Sequence, residues 1–229
     1  MRILFIGDIV GEPGRRAIKE LVPKLIKREK IDFVIANGEN TAGGSGITPM
    51  IADELLGYGV DVITSGDHVW KRKEIIDRIA EDARILRPAN YPNEAPGFGA
   101  TVVKSRSGVD VGVINLIGRI FMQAVECPFK TVKAEVDKMK NKTRIIVVDM
   151  HAEATSEKVA LGWFLDGTVS AIIGTHTHIQ TADEKILPKG TAFLTDAGMT
   201  GPYDSVIGRK KEKILNRFIT QMPTKFEMA

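Results

Sequence analysis

The sequence predicts an α/β fold with largely parallel strands, arranged as two sheets flanked by helices. Two observations carry that expectation. Short β-branched runs alternate with helical patterns along most of the chain, which is the rhythm of βαβ units. In the middle, residues 99–104 and 109–115 read as strands about Ser105-Arg106-Ser107-Gly108, the pattern of a β-hairpin, so the sheets must be mixed. A chain of 229 residues suits one domain with a full-sized core.

The elements follow in order. Residues 2–7 make a first buried strand ending at Gly7-Asp8; as a signal sequence the apolar run is too short and is broken by an acid. A helix covers residues 14–29, bent or restarted at Pro23, which cannot donate its backbone bond. Residues 32–37 form a second strand, with Gly38-Glu39-Asn40 just beyond it. Thr48-Pro49 reads as an N-cap followed by proline at the first helical position. That helix stops near Gly57 or Gly59, and residues 60–64 form a third strand leading to Ser65-Gly66-Asp67-His68. A helix at 73–80 and a proline-rich ordered loop at 87–99 precede the hairpin. After an irregular stretch at 119–129 come a helix at 130–140, a strand at 143–149 leading to His151, and a helix at 156–165. Strands at 169–173 and 191–195 and a basic helix at 208–221 complete the chain.

Composition narrows the function classes. With 32 basic and 29 acidic residues the net charge is +3, which leaves no footprint for bulk nucleic acid or a membrane surface. No apolar window is long enough to span a bilayer. The lone Cys127 excludes an intramolecular disulfide, lacks the surroundings of a nucleophile, and points to a cytoplasmic address.

The chemistry gathers at strand ends. The chain has 4 histidines, and two sit in Gly174-Thr175-His176-Thr177-His178, where a strand runs out into a loop. On an extended segment, an H-x-H pair sends both imidazoles to one side. His68 and His151 also follow β-rich runs, as do Asp8, Glu39, Asn40 and Asp67. Parallel α/β sheets bind ligands outside the carboxyl ends of their strands, so these segments converge on one rim. Oxygen plus imidazole, without thiolate, suits manganese, iron or zinc. Asp8, Glu39, Asn40, Asp67, His151, His176 and His178 are too many for one tetrahedral ion and suit two ions sharing a bridge. Two such ions would clamp an in-line displacement at phosphorus and generate hydroxide near neutral pH; a metal-dependent amidase could use similar ligands.

The motifs Gly7-Asp8-Ile9-Val10-Gly11, Gly38-Glu39-Asn40-Thr41-Ala42, Thr64-Ser65-Gly66-Asp67-His68-Val69-Trp70, the segment 149–158 around His151, Gly174 to Asp183, and Thr195 to Pro202 resemble the YmdB-like family, a branch of the calcineurin-like metallophosphoesterases. The resemblance covers essentially the whole chain. It implies a four-layer α/β/β/α sandwich and a single metallophosphoesterase domain over 1–229. Two divalent or trivalent ions are implied, iron or manganese ahead of zinc. Asp8, Glu39, Asn40 and His178 would hold one ion, and Asp67, His151 and His176 the other, with Glu39 bridging. His68 would be the catalytic histidine. The implied activity is hydrolysis of small phosphodiesters such as 2′,3′-cyclic nucleotides by attack of metal-bound hydroxide. Homo-oligomers are compatible with this picture.

Two positions depart from the family pattern. Asp67 stands where the family has Asn, adding a charge that should hold the cation more tightly and dull its Lewis acidity. The family's C-terminal strand is expected to be missing or supplied differently. Asp67 is also the one feature favouring a non-catalytic regulatory protein that senses a cyclic nucleotide or a protein partner. Elsewhere, Arg15 at the glycine-rich helix start is a candidate phosphate contact, although the segment lacks the Lys-Ser/Thr of a P-loop. Gly43-Gly44-Ser45-Gly46 reads as a mobile loop, Trp70 as packing under the site, Arg119 as a salt-bridge partner, and Arg209-Lys210-Lys211 as a solvated helix start. Glu153 and Glu157 are candidates for orienting histidines or capping a helix.

Overall fold

A computed structural model describes residues 1–229. The first half contains β1 (Ile3–Ile6), β2 (Asp8–Ile9), α1 (Gly11–Glu29), β3 (Phe33–Asn37), α2 (Pro49–Gly57), β4 (Val62–Thr64) and α3 (Ile75–Glu81). The middle supplies β5 (Ala100–Lys104), β6 (Asp110–Ile117), α4 (Pro128–Met139), β7 (Ile145–His151) and α5 (Thr155–Phe164). The last part adds β8 (Ala171–Thr175), β9 (Lys185–Ile186), β10 (Ala192–Leu194), β11 (Met199–Thr200) and α6 (Lys211–Thr220).

Two main sheets stack face to face. The first is β1-β3-β4, all parallel. The second runs β5-β6-β7-β8-β10-β9 and is antiparallel only in its outermost pairs, one of them the expected hairpin. A two-stranded parallel ribbon joins β2 to β11, placing Asp8 opposite Met199. Helices α1, α2 and α3 cover the first sheet and α4 and α5 the second, which is the four-layer α/β/β/α sandwich. The short strands β2, β9 and β11 have only two residues each and leave no periodicity to read. Helix α1 runs unbroken through Pro23. The expected restart does not occur because proline removes one backbone bond, while Ile18, Val22 and Ile26 hold the helix onto the sheet on either side. Thr48 caps α2 as expected, its side chain accepting from the Ile51 N–H.

Side-chain alternation explains where the site forms. In β3, Phe33 and Ile35 point between the sheets while Val34 and Ala36 point to the helices. In β7, Val147 points between the sheets while Ile146, Val148 and Met150 point to α4 and α5. The same inner face continues into Asn37 on β3, Thr64 on β4, Asp149 and His151 on β7, and Thr175 on β8. Because these strands run parallel, the apolar layer turns polar at one common end. Across that end, the Asn37 amide donates to Asp149 at 3.3 Å, bridging the two sheets.

Candidate metal centre

All eight residues expected at strand ends come together at this edge. Glu39, Asp67, His151 and His176 place one ligand atom each within 4.8 Å of one another. His151 Nε2 lies 3.3 Å from Glu39 Oε1, 3.3 Å from Asp67 Oδ1 and 3.0 Å from His176 Nδ1. Beside this group, Asp8 Oδ1 is 3.8 Å from His178 Nε2, and Asn40 Nδ2 is 3.0 Å from Glu39 Oε1 and 3.2 Å from His178 Nε2. His68 sits at the mouth, its Nδ1 2.7 Å from Asn40 Oδ1 and its Nε2 3.5 Å from Asp67 Oδ2.

The imidazoles are oriented from behind. The His151 Nδ1–H donates to Thr175 Oγ1 at 2.9 Å, and that hydroxyl donates to Asp149 at 2.7 Å. Burial pushes the Asp149 carboxyl up to about 6, but Asn37 and Thr64 also donate to it, so Asp149 ends the chain of donors as the acceptor. The His178 Nδ1 faces the Ile207 carbonyl at 3.1 Å, and a carbonyl can only accept. His176 Nε2 faces Glu153 Oε2 at 3.2 Å. Each ring therefore turns a lone pair into the cluster, the arrangement that acceptors behind the ring impose on metal-binding histidines.

Those lone pairs meet carboxylate oxygens, which calls for a cation. Burial opposes charge on His151, but the Glu39 and Asp67 carboxylates prevail and hold its pKa well above the ordinary value; the positive charge they draw to Nε2 is a proton, whose place a metal ion would take. Burial and the neighbouring His151 push His176 down to about 4. Asp8 Oδ1 is buried with no hydrogen-bond partner, while Oδ2 accepts the His176 N–H at 3.1 Å. Acceptors converging on one point, with an orphaned carboxylate oxygen beside them, fit a metal ion. The fit is closest around Glu39, Asp67, His151 and His176. At the other end Asn40 presents its nitrogen, and its amide must turn over to offer an oxygen.

One expectation fails in an informative way. His176 and His178 do not project from an extended strand. β8 ends at Thr175, and the two histidines adopt positive φ of 102° and 65°. They therefore diverge, His176 toward Asp67 and His178 toward Asp8. Between them, Thr177 donates through its N–H (3.2 Å) and its hydroxyl (2.8 Å) to Asp196 Oδ2. Asp196 in turn receives the fully buried Lys158 Nζ at 2.6 Å. This pair pins the histidine loop, and no sequence pattern marks it. Asp149 also escapes the sequence reading, although its position two residues before His151 puts both on one strand face.

The remaining expectations divide. Trp70 packs edge-on against Tyr91. Arg15 approaches Glu54 at 3.6 Å and does not line the site. The Gly43–Gly46 loop is anchored, not free: Arg209 donates to the Gly44 carbonyl at 2.6 Å and Arg72 to the Ala42 carbonyl at 3.0 Å. Glu157 accepts the Arg119 backbone N–H at 3.1 Å, so neither a histidine nor the Arg119 guanidinium is its partner. Arg209 is not a solvated helix-start residue. It lines a cavity of ≈ 370 Å³ that opens onto Glu39, Asn40, His68, His176 and His178.

A four-layer sandwich with carboxylates and imidazoles at the carboxyl edge of its sheets is the metallophosphoesterase architecture. The chain belongs to the YmdB-like protein family, whose model matches residues 4–229. It is 52% identical over 229 residues to the 2′,3′-cyclic-nucleotide 2′-phosphodiesterase of Bacillus subtilis, covering 100% of this chain and 86% of that one. A crystal structure of a hypothetical protein from Thermus thermophilus superposes with a TM-score of 0.93 at 43% identity, covering 100% of this chain and 88% of that one. A novel phosphatase from Mycoplasma pneumoniae superposes with a TM-score of 0.92 at 35% identity, covering 99% and 82%. No helix is long and apolar enough to cross a membrane.

Proposed function

We infer that this protein is a metal-dependent phosphodiesterase that hydrolyses small phosphodiesters such as 2′,3′-cyclic nucleotides at a centre of two ions, iron or manganese. The observation that supports it best is the convergence of Glu39, Asp67, His151 and His176 on one point, with the orphaned Asp8 oxygen next to it. Asp8, Glu39, Asn40 and His178 would hold one ion, and Glu39, Asp67, His151 and His176 the other. Such ions supply Lewis acidity and lower the pKa of bound water. Thr175 and Asp149 keep the His151 proton on Nδ1, and the Ile207 carbonyl does the same for His178, so both rings offer Nε2. His68 faces the cavity beside Asn40; once the Asn40 amide turns its oxygen to the ion, its nitrogen would donate to His68 Nδ1 and keep a proton on Nε2 for the departing 2′ oxygen. Water adds to phosphorus, the P–O2′ bond breaks, and a 3′-monophosphate results. The near-neutral charge favours a small substrate over a polymer. A cytoplasmic setting accords with a nucleotide substrate and a lone cysteine.

The test is hydrolysis of 2′,3′-cyclic AMP with manganese and with a chelator. The expected result is metal-dependent 3′-AMP, reduced about 10²–10⁴-fold by His68→Ala. A folded protein that holds two ions and yields no product with any divalent metal would overturn the catalytic reading. It would favour a sensor, with the extra Asp67 charge as its cause.

A further inference from the structure

The cavity over the metal centre has a second wall that the hydrolytic chemistry leaves unused. Residues 209–229 build it. Ile214 and Phe218 lie one turn apart on α6, and Phe226 returns beside them after the helix. The return is fixed by backbone bonds: Lys210 N–H donates to Glu227 O at 3.0 Å and Ala229 N–H to Gly208 O at 3.1 Å. A Lys210–Glu227 ion pair at 3.0 Å reinforces it. Two phenyl rings are thereby held at the mouth of a polar site, yet Phe218 remains 70% and Phe226 45% exposed.

The same wall carries positive charge. Arg209 and Arg217 line the cavity, and their hydrogen-bond partners are neutral: the Gly44 carbonyl and Met228 sulfur for Arg209, the Met222 carbonyl for Arg217. Uncompensated guanidinium groups next to an apolar surface match a ligand with an anionic and an aromatic part. A volume of ≈ 370 Å³ lies within the range of small-molecule sites, about 300–1,000 Å³.

We propose that this wall is a mononucleotide subsite, in which Phe218 and Phe226 take the face of the nucleobase and Arg217, with Arg209, attracts the phosphate. The subsite rests on the phosphodiesterase reading for the reacting group and adds which residues would meet the base. It makes α6 and the return at Phe226 determinants of specificity.

The test compares ligands with and without a base on the full chain. Affinities of 3′-AMP and ribose 3-phosphate are measured by calorimetry. In parallel, kcat/KM is measured for 2′,3′-cyclic AMP and for 1-O-methylribose 2′,3′-cyclic phosphate. The expected preference for the nucleotide is about tenfold or more, the size of one base–aromatic stack. Phe218→Ala with Phe226→Ala should abolish that preference, and Phe218→Tyr should keep it. An equal affinity for both ligands in the parent chain would overturn the subsite. So would an unchanged preference in the double variant, including one whose only change is a smaller oligomer. Base-dependent binding in a protein without turnover would leave the subsite standing and remove the catalytic reading. Turnover without base preference would do the reverse.

Discussion

Replacing Lys158 by Met should loosen the histidine loop from behind. Lys158 and Asp196 are 0% and 1% exposed and meet at 2.6 Å. Methionine keeps most of the lysine stem and removes the charge, leaving Asp196 buried with only the Thr177 and Gly198 donors. Breaking a buried pair by removing one partner costs about 3–5 kcal/mol. For a chain of this size, each kcal/mol moves Tm by about 2–4 °C, so the expected fall is about 6–20 °C. The cost should be shared with the site. His176 and His178 hold positive φ on either side of Thr177, conformations that cost about 1–3 kcal/mol each unless neighbours enforce them. Once Asp196 loses its cation, the loop should relax, and metal affinity should drop along with Tm. The assay is thermal unfolding by circular dichroism in chelator, for Lys158→Met, Asp196→Asn and the double variant. The double variant should be less destabilised than the sum of the singles by about 2–3 kcal/mol, because it leaves no lone buried charge. A Lys158→Met protein within about 1 kcal/mol of the parent, or strictly additive singles, would refute the reasoning.

Three further outcomes are expected. Asp67→Asn removes one carboxylate charge from the cluster and should weaken metal binding about tenfold while raising turnover at saturating metal; identical metal content and rate would contradict the role given to Asp67. Thr175→Val keeps the shape but breaks the relay from His151 to Asp149, so metal affinity by titration should fall about 10–100-fold. The third concerns acid stability far from the site. The Arg84 side chain, helped by its backbone N–H and by Arg78, holds the Asp82 carboxyl below the ordinary range against the effect of burial. A lowered carboxylate stabilises the fold fully above its unfolded pKa, about 3.9, and loses that contribution as pH falls toward its folded value. Asp82→Asn should therefore cost about 1–2 kcal/mol in urea unfolding at pH 7 and progressively less below about pH 4.

What the sequence made legible follows from the direction of its strands. β-branched runs fix where strands lie, and parallel strands share one carboxyl edge. Polar residues after β3, β4, β7 and β8 therefore had to meet. The Asp149–His151 relation was legible in principle too, since residues two apart share a strand face. The H-x-H segment was not, because nothing in Thr175-His176-Thr177-His178 specifies a left-handed backbone. That conformation is imposed by Asp196, about twenty residues later, and by Lys158 on the preceding helix, contacts that no local period encodes. The same limit hid the cavity wall. Arg209-Lys210-Lys211 looks uniform as a basic run, yet the three part company in space. Lys210 pairs with Glu227 and Lys211 with Asp204, both at the surface, while Arg209 turns inward to the Gly44 carbonyl. The return of residues 226–229 onto the segment before α6 pairs Met228 with Arg209 and brings Phe226 to the same cavity. Ligands carried on strand ends can be read from pattern, whereas the surface that selects what the ligands act on comes from tertiary closure.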